Sequence, residues 1–261
     1  MNRTSRENLA LRTTERWRPP TFKPVKGTRG RVRAAVRRFF DLQAGSLWRD
    51  LSEPLSRARG TLLDVGCGAQ PYRRLIPPET TYIGLDTEES ATNFGYSMPD
   101  VRRIALDGLW PVDDGSADVV LATETLEHVE NPGAFLAQAY RCLRPGGRLI
   151  LTVPFAARWH YIPHDYWRFT PSGLRLLLER ARFSEVAVHG RGNERTVACY
   201  KLLSLLLPIA FPQARPGSIR LSPISLLVVP LIMVLAVIGN RSLRMPPGDD
   251  CLGYTAFATR T

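Results

Sequence analysis

Thr61-Leu-Leu-Asp-Val-Gly-Cys-Gly68 joins a short apolar run to two closely spaced glycines, and it is the most informative segment of this 261-residue chain. An apolar run that ends in Asp64 and passes into Gly-x-Gly predicts a buried strand followed by a sharp turn. Glycine at Gly66 and Gly68 lets the backbone approach a ligand more closely than a residue with a Cβ allows. A structural turn explains a lone Gly-x-Gly at least as often, so the interpretation depends on the segments downstream of Gly68.

Three such segments stand at plausible distances for a nucleoside-binding sheet: Tyr82–Asp86, Ala117–Ala122 and Leu143–Pro154. Asp86 lies 22 positions after Asp64, at the end of the next predicted strand, where its carboxylate can accept both ribose hydroxyls. Short Val/Ile/Leu runs alternate with helical segments, which predicts a parallel sheet covered on both faces. Strands are predicted near 61–65, 81–85, 101–105, 118–122, 147–153 and 185–189, and helices near 71–76, 132–142 and 171–181.

The ordered series resembles the class I S-adenosylmethionine-dependent methyltransferases, in particular a broad bacterial group with three shared motifs. Here these motifs read Asp64 to Gly68, Leu126-Glu-His-Val129 and Arg144-Pro-Gly-Gly147, and the resemblance covers roughly residues 60–190. It implies an α/β fold with a Rossmann-like seven-stranded sheet, whose last strand, near 251–261, inserts antiparallel at the sheet edge. It also implies S-adenosylmethionine as the cofactor.

The resemblance assigns the cofactor site residue by residue. It places the methionine side of the cofactor on the glycine loop, the ribose on the acid after the second strand, and the adenine just past the third strand. The residue after the fourth strand then lies near the sulfonium. The implied cofactor-binding residues are Asp64, Gly66, Cys67, Gly68, Asp86, Asp107, Gly108 and Glu124.

Candidate catalytic residues lie after the fifth predicted strand, in Arg158–Thr170. Ligands of such sheets bind beyond the carboxyl ends of the strands, where this loop begins. His164 or His160 is the candidate general base, with Asp165 orienting it. The His-Asp-Tyr-Trp-Arg-Phe-Thr segment resembles one in methyltransferases of bacterial surface-glycan clusters, although packing against the next helix is a structural alternative. His128 is expected to be structural.

Charge is concentrated at the beginning of the chain. The net charge is +11, and residues 1–40 carry twelve Lys/Arg against two Glu, so the remainder is almost neutral. Such a segment suits anionic lipid or nucleic acid, or it is simply a solvated tail. No base-flipping motif follows the fourth strand, which argues against nucleic acid as a partner. The four cysteines include no Cys-x-x-Cys pair, which favours a reducing compartment and argues against a zinc site, and no metal is expected.

Residues 194–250 interrupt the alternation of strands and helices. Leu202–Phe211 is apolar, and Leu221–Asn240 contains no charged residue, while Arg215, Arg220, Arg241 and Arg244 flank the two runs. If the final strand joins the sheet, both ends of this insert stay on one side of any membrane. A peripheral or re-entrant association with the cytoplasmic face of the inner membrane is therefore expected, and an apolar cap over the active site is the alternative.

These observations divide the chain into a basic leader (1–29), an N-terminal helix (30–59), the core (60–193), the apolar insert (194–250) and the last strand (251–261). The function predicted first is O-methylation of a glycan or lipid-linked saccharide at the membrane. Methylation of an isoprenoid quinone or another lipid is the alternative. A protein that retains the cofactor fold without turnover represents a different class.

Overall fold

The computed structural model describes Val25, Met98 and residues 27–88, 100–105, 108–212 and 224–261. Asp107, Arg215, Arg220 and most of the basic leader, for which the sequence pattern carries predictions, lie outside the described residues.

Seven strands form one sheet in the order β3-β2-β1-β4-β5-β7-β6. Strands β1 to β5 pair in parallel, and β7 runs antiparallel between β5 and β6. This arrangement confirms the predicted α/β fold and the antiparallel last strand. The strands are β1 Thr61–Val65, β2 Thr81–Asp86, β3 Val101–Arg103, β4 Ala117–Thr123, β5 Leu143–Pro154, β6 Phe183–Gly190 and β7 Gly253–Arg260.

Two helices stand where one was predicted before the core. They are separated at Asp41, whose Oδ1 accepts a hydrogen bond from the Ala44 amide and so caps the second helix. The prediction of a helix at 71–76 is wrong, because only a 3₁₀ turn, Arg73–Leu75, forms there. The α-helices are α1 Gly27–Phe40, α2 Leu42–Ser56, α3 Pro132–Cys142, α4 Pro171–Arg180, α5 Glu194–Ala210 and α6 Ser225–Ser242.

Helices cover both faces of the sheet. Helices α3 and α4 pack on one face, with Leu136 and Leu174 fully buried against it. Helix α2 covers the other face through Leu51 and Leu55. Burial of these aliphatic side chains is the main stabilising contribution of each layer, at about 1.5–3 kcal/mol for each residue.

Helices α5 and α6 pack against each other and against the N-terminal helices. Asn240 donates from Nδ2 to the Phe39 carbonyl over 2.8 Å, and a Cβ at Gly239 would lie 2.5 Å from Leu42 Cδ1. The same apolar cluster includes Ala156 and Leu252, which lie just beyond the end of β5 and just before β7. The insert therefore rests beside the carboxyl edge of the parallel strands.

Candidate active site

The glycine loop begins where β1 ends. Gly66 adopts a left-handed backbone with φ of 70°, and its amide donates to the Leu85 carbonyl over 2.8 Å. A Cβ at Gly66 would lie only 2.4 Å from Thr125 Oγ1. Glycine is therefore required here by the backbone conformation and by Thr125, in addition to any approach of a ligand. The side chain of Cys67 is buried beneath the loop, and this burial raises the pKa of its thiol.

Asp86 connects the end of β2 to this loop. Its Oδ2 accepts a hydrogen bond from the Gly68 amide over 3.0 Å, and its Oδ1 accepts one from the Thr87 amide over 2.8 Å. The carboxylate is thereby fixed against the glycine loop, at the carboxyl edge of the sheet. This is the position that the sequence assigned to a ribose-binding acid.

Asp64, at the carboxyl edge of β1, is almost completely buried. Tyr82 donates its hydroxyl proton to Asp64 Oδ2 over 2.6 Å. Burial raises the pKa of Asp64 to about 7, and the charge of Asp86 adds to this effect, although the hydrogen bond from Tyr82 opposes it. Tyr82 lies on β2, and nothing in its sequence context marked it as part of the site.

Glu124 follows β4 and has a left-handed backbone with φ of 50°. Arg191, the first residue after β6, donates from Nη2 to Glu124 Oε1 over 2.9 Å and also approaches the Val153 carbonyl at 3.3 Å. Arg191 is fully buried, and within the described part of the chain its Nε and Nη1 have no hydrogen-bond partner. No local sequence pattern marks this residue as part of the site, because 67 positions separate it from Glu124.

Three carboxylates, Asp64, Asp86 and Glu124, thus lie at the carboxyl ends of neighbouring parallel strands. S-adenosylmethionine carries a sulfonium, an ammonium and a ribose diol, which these acceptors suit in charge and in hydrogen bonding. Gly108 has φ of 79° and open space where a Cβ would be, so the backbone is accessible beside the predicted adenine position. The described residues therefore fit this cofactor.

The loop after β5 brings together two of the three candidate catalytic residues. Asp165 Oδ2 accepts a hydrogen bond from the His160 amide over 3.0 Å and lies 3.2 Å from His160 Nδ1. Arg168 donates to both oxygens of Asp165, over 2.6 and 2.7 Å. Asp165 therefore orients His160. Burial lowers the pKa of His160, but the hydrogen bond and charge of Asp165 outweigh this and raise it.

His164 is held by two other side chains, Tyr166 and Glu130. Its Nδ1 lies 3.1 Å from the Tyr166 hydroxyl, which donates its proton to Glu130 Oε1 over 3.1 Å. Since the Tyr166 hydroxyl donates to Glu130, its oxygen accepts the proton on His164 Nδ1, and Nε2 is the basic nitrogen of that ring.

His128 and Glu127 lie between this loop and the end of β4, in the 3₁₀ turn Leu126–His128. His128 Nδ1 lies 2.7 Å from the His164 carbonyl oxygen, so the turn and the loop are joined. Burial and the neighbouring His160 lower the pKa of His128 to about 4. Burial, followed by the charge of Glu124, raises the pKa of Glu127 well above its ordinary value.

Aromatic side chains surround the candidate catalytic loop. Trp159, Tyr166 and Trp167 are exposed, whereas Phe169 is buried in the core together with Leu174 of α4. Packing against α4 therefore accounts for Phe169. Trp167 is fixed by a 2.9 Å hydrogen bond from Nε1 to the Val129 carbonyl, which leaves its ring at the surface.

Comparison with known proteins identifies the family. Residues 33–188 match the family model described as a methyltransferase domain. A ubiquinone biosynthesis O-methyltransferase of Cereibacter sphaeroides is 31% identical over 168 residues, which cover 53% of this chain and 66% of that protein. A thiol S-methyltransferase of Homo sapiens is 28% identical over 174 residues, covering 56% and 71%.

The chain spans only part of its curated relatives. An uncharacterized 37.1 kDa protein of a Streptomyces fradiae transposon is 32% identical over 121 residues, which cover 42% of this chain and 34% of that protein.

Solved structures share the fold. An S-adenosylmethionine-dependent methyltransferase from Archaeoglobus fulgidus superposes with a TM-score of 0.51 at 20% identity, covering 87% of this chain and 99% of that one. A Thermotoga maritima methyltransferase, described as a possible histamine N-methyltransferase, has a TM-score of 0.51 at 17% identity, covering 88% and 97%. The family model, the named relatives and the shared fold agree, and the chain belongs to the S-adenosylmethionine-dependent methyltransferases.

Proposed function

We propose that this methyltransferase O-methylates a glycan or lipid-linked saccharide at the surface of a membrane. The observation that carries the proposal is the outer face of α6. Its buried residues, among them Ile232, Ala236 and Gly239, recur at helical spacing and face the protein. A helix that packs on the protein with one face and contacts water with the other carries polar residues on the outer face.

In α6 the opposite side is apolar. Leu226 and Leu227 are 87% and 79% exposed, and Leu231, Val234 and Ile238 are also exposed. Among the described residues, Ser225–Ser242 is the one helix long and apolar enough to cross a membrane, judged by length and composition. Because its inner face packs on the protein, the geometry favours a helix lying in the interface.

Exposed basic residues lie on the neighbouring helix α1. Helix α1 contacts α6, exposes Val32 and Val36, and carries Arg29, Arg31 and Arg33 at the surface. Apolar side chains beside guanidinium groups suit the boundary between acyl chains and anionic headgroups. The same surface would bring a membrane-resident acceptor towards the insert, which rests beside the active site.

The acceptor class is inferred from the exposed aromatics. Trp159 and Trp167 present exposed rings in the loop that carries the candidate bases, an arrangement that suits the apolar face of a sugar. When bound, S-adenosylmethionine would supply the methyl group to the acceptor oxygen, with S-adenosylhomocysteine as the leaving group. The hydroxyl proton passes to Nε2 of His164. His160, paired with Asp165, is the second candidate for this role.

An isoprenoid quinone is the second candidate acceptor. The chain is similar to an O-methyltransferase of ubiquinone biosynthesis, and a polyprenyl tail would use the same apolar face. Both acceptors are membrane-resident, so their headgroups distinguish them.

Flotation with anionic vesicles tests the membrane association. The full chain should float with phosphatidylglycerol vesicles, and Leu226→Gln combined with Leu227→Gln should abolish flotation while cofactor binding is retained. Leu176→Gln, an equally apolar exposed position on α4, serves as the control. A wild-type chain that stays with the soluble fraction contradicts the membrane proposal. Labelled methyl tracing in membrane extracts then identifies a saccharide, a quinone or neither.

A further inference from the structure

Three side chains between the end of β4 and the catalytic loop form a compact group. Glu127, His128 and His160 each offer one ligand atom, and these atoms lie within 4.8 Å of one another. An ion bound at about 2.0–2.2 Å holds its ligand atoms within about 4.4 Å of one another, so these two imidazoles and one carboxylate need only a small inward shift to surround a single cation.

Glu127 provides the first independent indication of a ligand. Its side chain is completely buried, and neither Oε1 nor Oε2 has a hydrogen-bond partner among the residues that the structure describes. His128 Nε2 lies 3.6 Å from Oε1, which is too far for a hydrogen bond. A buried carboxyl with both oxygens unpartnered costs several kcal/mol unless another group compensates it.

The two histidines are oriented alike. The Nδ1 of His128 faces the His164 carbonyl at 2.7 Å, and the Nδ1 of His160 faces the Arg158 carbonyl at 3.0 Å and Asp165 Oδ2 at 3.2 Å. These acceptors place the ring proton on Nδ1, so each Nε2 presents a lone pair. Backbone carbonyls and carboxylates hold metal-binding histidines in this way.

We infer that Glu127, His128 and His160 form a binding site for one divalent transition-metal ion, of the class represented by zinc. Two neutral imidazoles and a carboxylate favour such an ion over magnesium. Three protein ligands leave a coordination position for an external oxygen, as in catalytic zinc sites. Cysteine spacing argued against zinc, but cysteine takes no part in this group. With an ion bound, His160 serves as a ligand, which leaves His164 to accept the proton.

The test titrates the chelator-treated full chain with Co²⁺, which reports its coordination by visible absorption, and with Zn²⁺ by calorimetry. The wild type should bind one equivalent of either ion and should melt at a higher temperature when the ion is present. Glu127→Gln and His160→Ala should each weaken binding at least about 100-fold, since each removes a ligand. His189→Ala, a change at an exposed histidine of β6, should bind as the wild type does.

Two results would overturn the site. One is a wild type that binds neither ion more tightly than His160→Ala does. The other is a wild-type affinity that Glu127→Gln leaves unchanged. Retained S-adenosylmethionine binding verifies that each variant is folded. Because the readout is metal affinity, the test of the metal site does not depend on the identity of the acceptor or on membrane association.

Discussion

Arg191 Nη2 lies 2.9 Å from Glu124 Oε1, so a residue past the sixth strand fixes the acid past the fourth. The arginine crosses beneath the start of β7, where a Cβ at Gly253 would lie 2.2 Å from Nη2. The Arg191–Glu124 ion pair therefore requires glycine at position 253, because any Cβ there would collide with the guanidinium group. Because Arg191 is fully buried and Glu124 is largely so, loss of the arginine would leave an uncompensated carboxylate beside the cofactor position.

Arg191→Met should lower both stability and turnover. Breaking a buried pair costs about 3–5 kcal/mol, and partial exposure of Glu124 should reduce this towards the lower limit. Thermal melting measures the stability, and transfer of a labelled methyl group from S-adenosylmethionine to membrane extracts measures the turnover. Arg195→Met, at an exposed position of α5, is the control. Adding Glu124→Gln should recover stability but not turnover, and an additive double mutant would contradict the coupling.

Asp86→Ala should weaken S-adenosylmethionine binding about 10- to 100-fold. The change removes a carboxylate placed to accept the ribose hydroxyls, and hydrogen bonds to charged groups contribute about 1.5–3 kcal/mol. Calorimetry measures the affinity. Glu53→Ala, which removes an exposed carboxylate of α2, should leave it unchanged. Equal affinities in the two variants would show that Asp86 only caps the glycine loop.

Asp64 should make stability and cofactor affinity depend on pH. Its pKa in the folded chain is about 7, well above its ordinary value of 3.8. Between these values the folded chain retains a proton that the unfolded chain has released, so this group lowers stability as pH rises from about 4 to 7. Asp64→Asn should remove that decline, on the order of 4 kcal/mol across the interval.

The same carboxyl should tighten cofactor binding as pH rises through about 7, because only the ionised form attracts the cationic cofactor. Calorimetry between about pH 6 and 8 should show up to about tenfold tighter binding in the wild type and a flat profile in Asp64→Asn. A flat wild-type profile would place Asp64 away from the cofactor charge.

His164→Ala should lower turnover by about two to four orders of magnitude, the usual loss with a general base. S-adenosylmethionine affinity should stay within about threefold, since His164 is not among the predicted cofactor-binding residues. Tyr166→Phe, which removes the group that orients Nδ1, should have a smaller effect in the same direction. Activity that survives His164→Ala within about threefold would make His164 structural and His160 the next candidate.

The fold and the cofactor could be predicted from local pattern. Apolar runs of strand length, Asp64 with its two glycines, and Asp86 at the next strand end are features of neighbouring residues. Strands β1, β2 and β4 each have an acid at or just past the carboxyl end. Parallel pairing then brings those carboxyl ends to one edge of the sheet, and this does not depend on the conformation of the loops. Helix α4 and the last strand were also predicted before any contact was known.

Which side chains pair with one another at the site could be established only from the tertiary structure. The sequence placed Asp165, His160 and His164 in one loop, but the folded backbone decides that Asp165 orients His160 while Tyr166 and Glu130 hold His164. Likewise, Arg191 reaches Glu124, and Glu127 and His128 meet His160, only because the ends of β4, β5 and β6 converge. Strand and helix formation depends on nearby residues, whereas hydrogen bonds and ion pairs of this kind depend on side-chain distances that only packing sets.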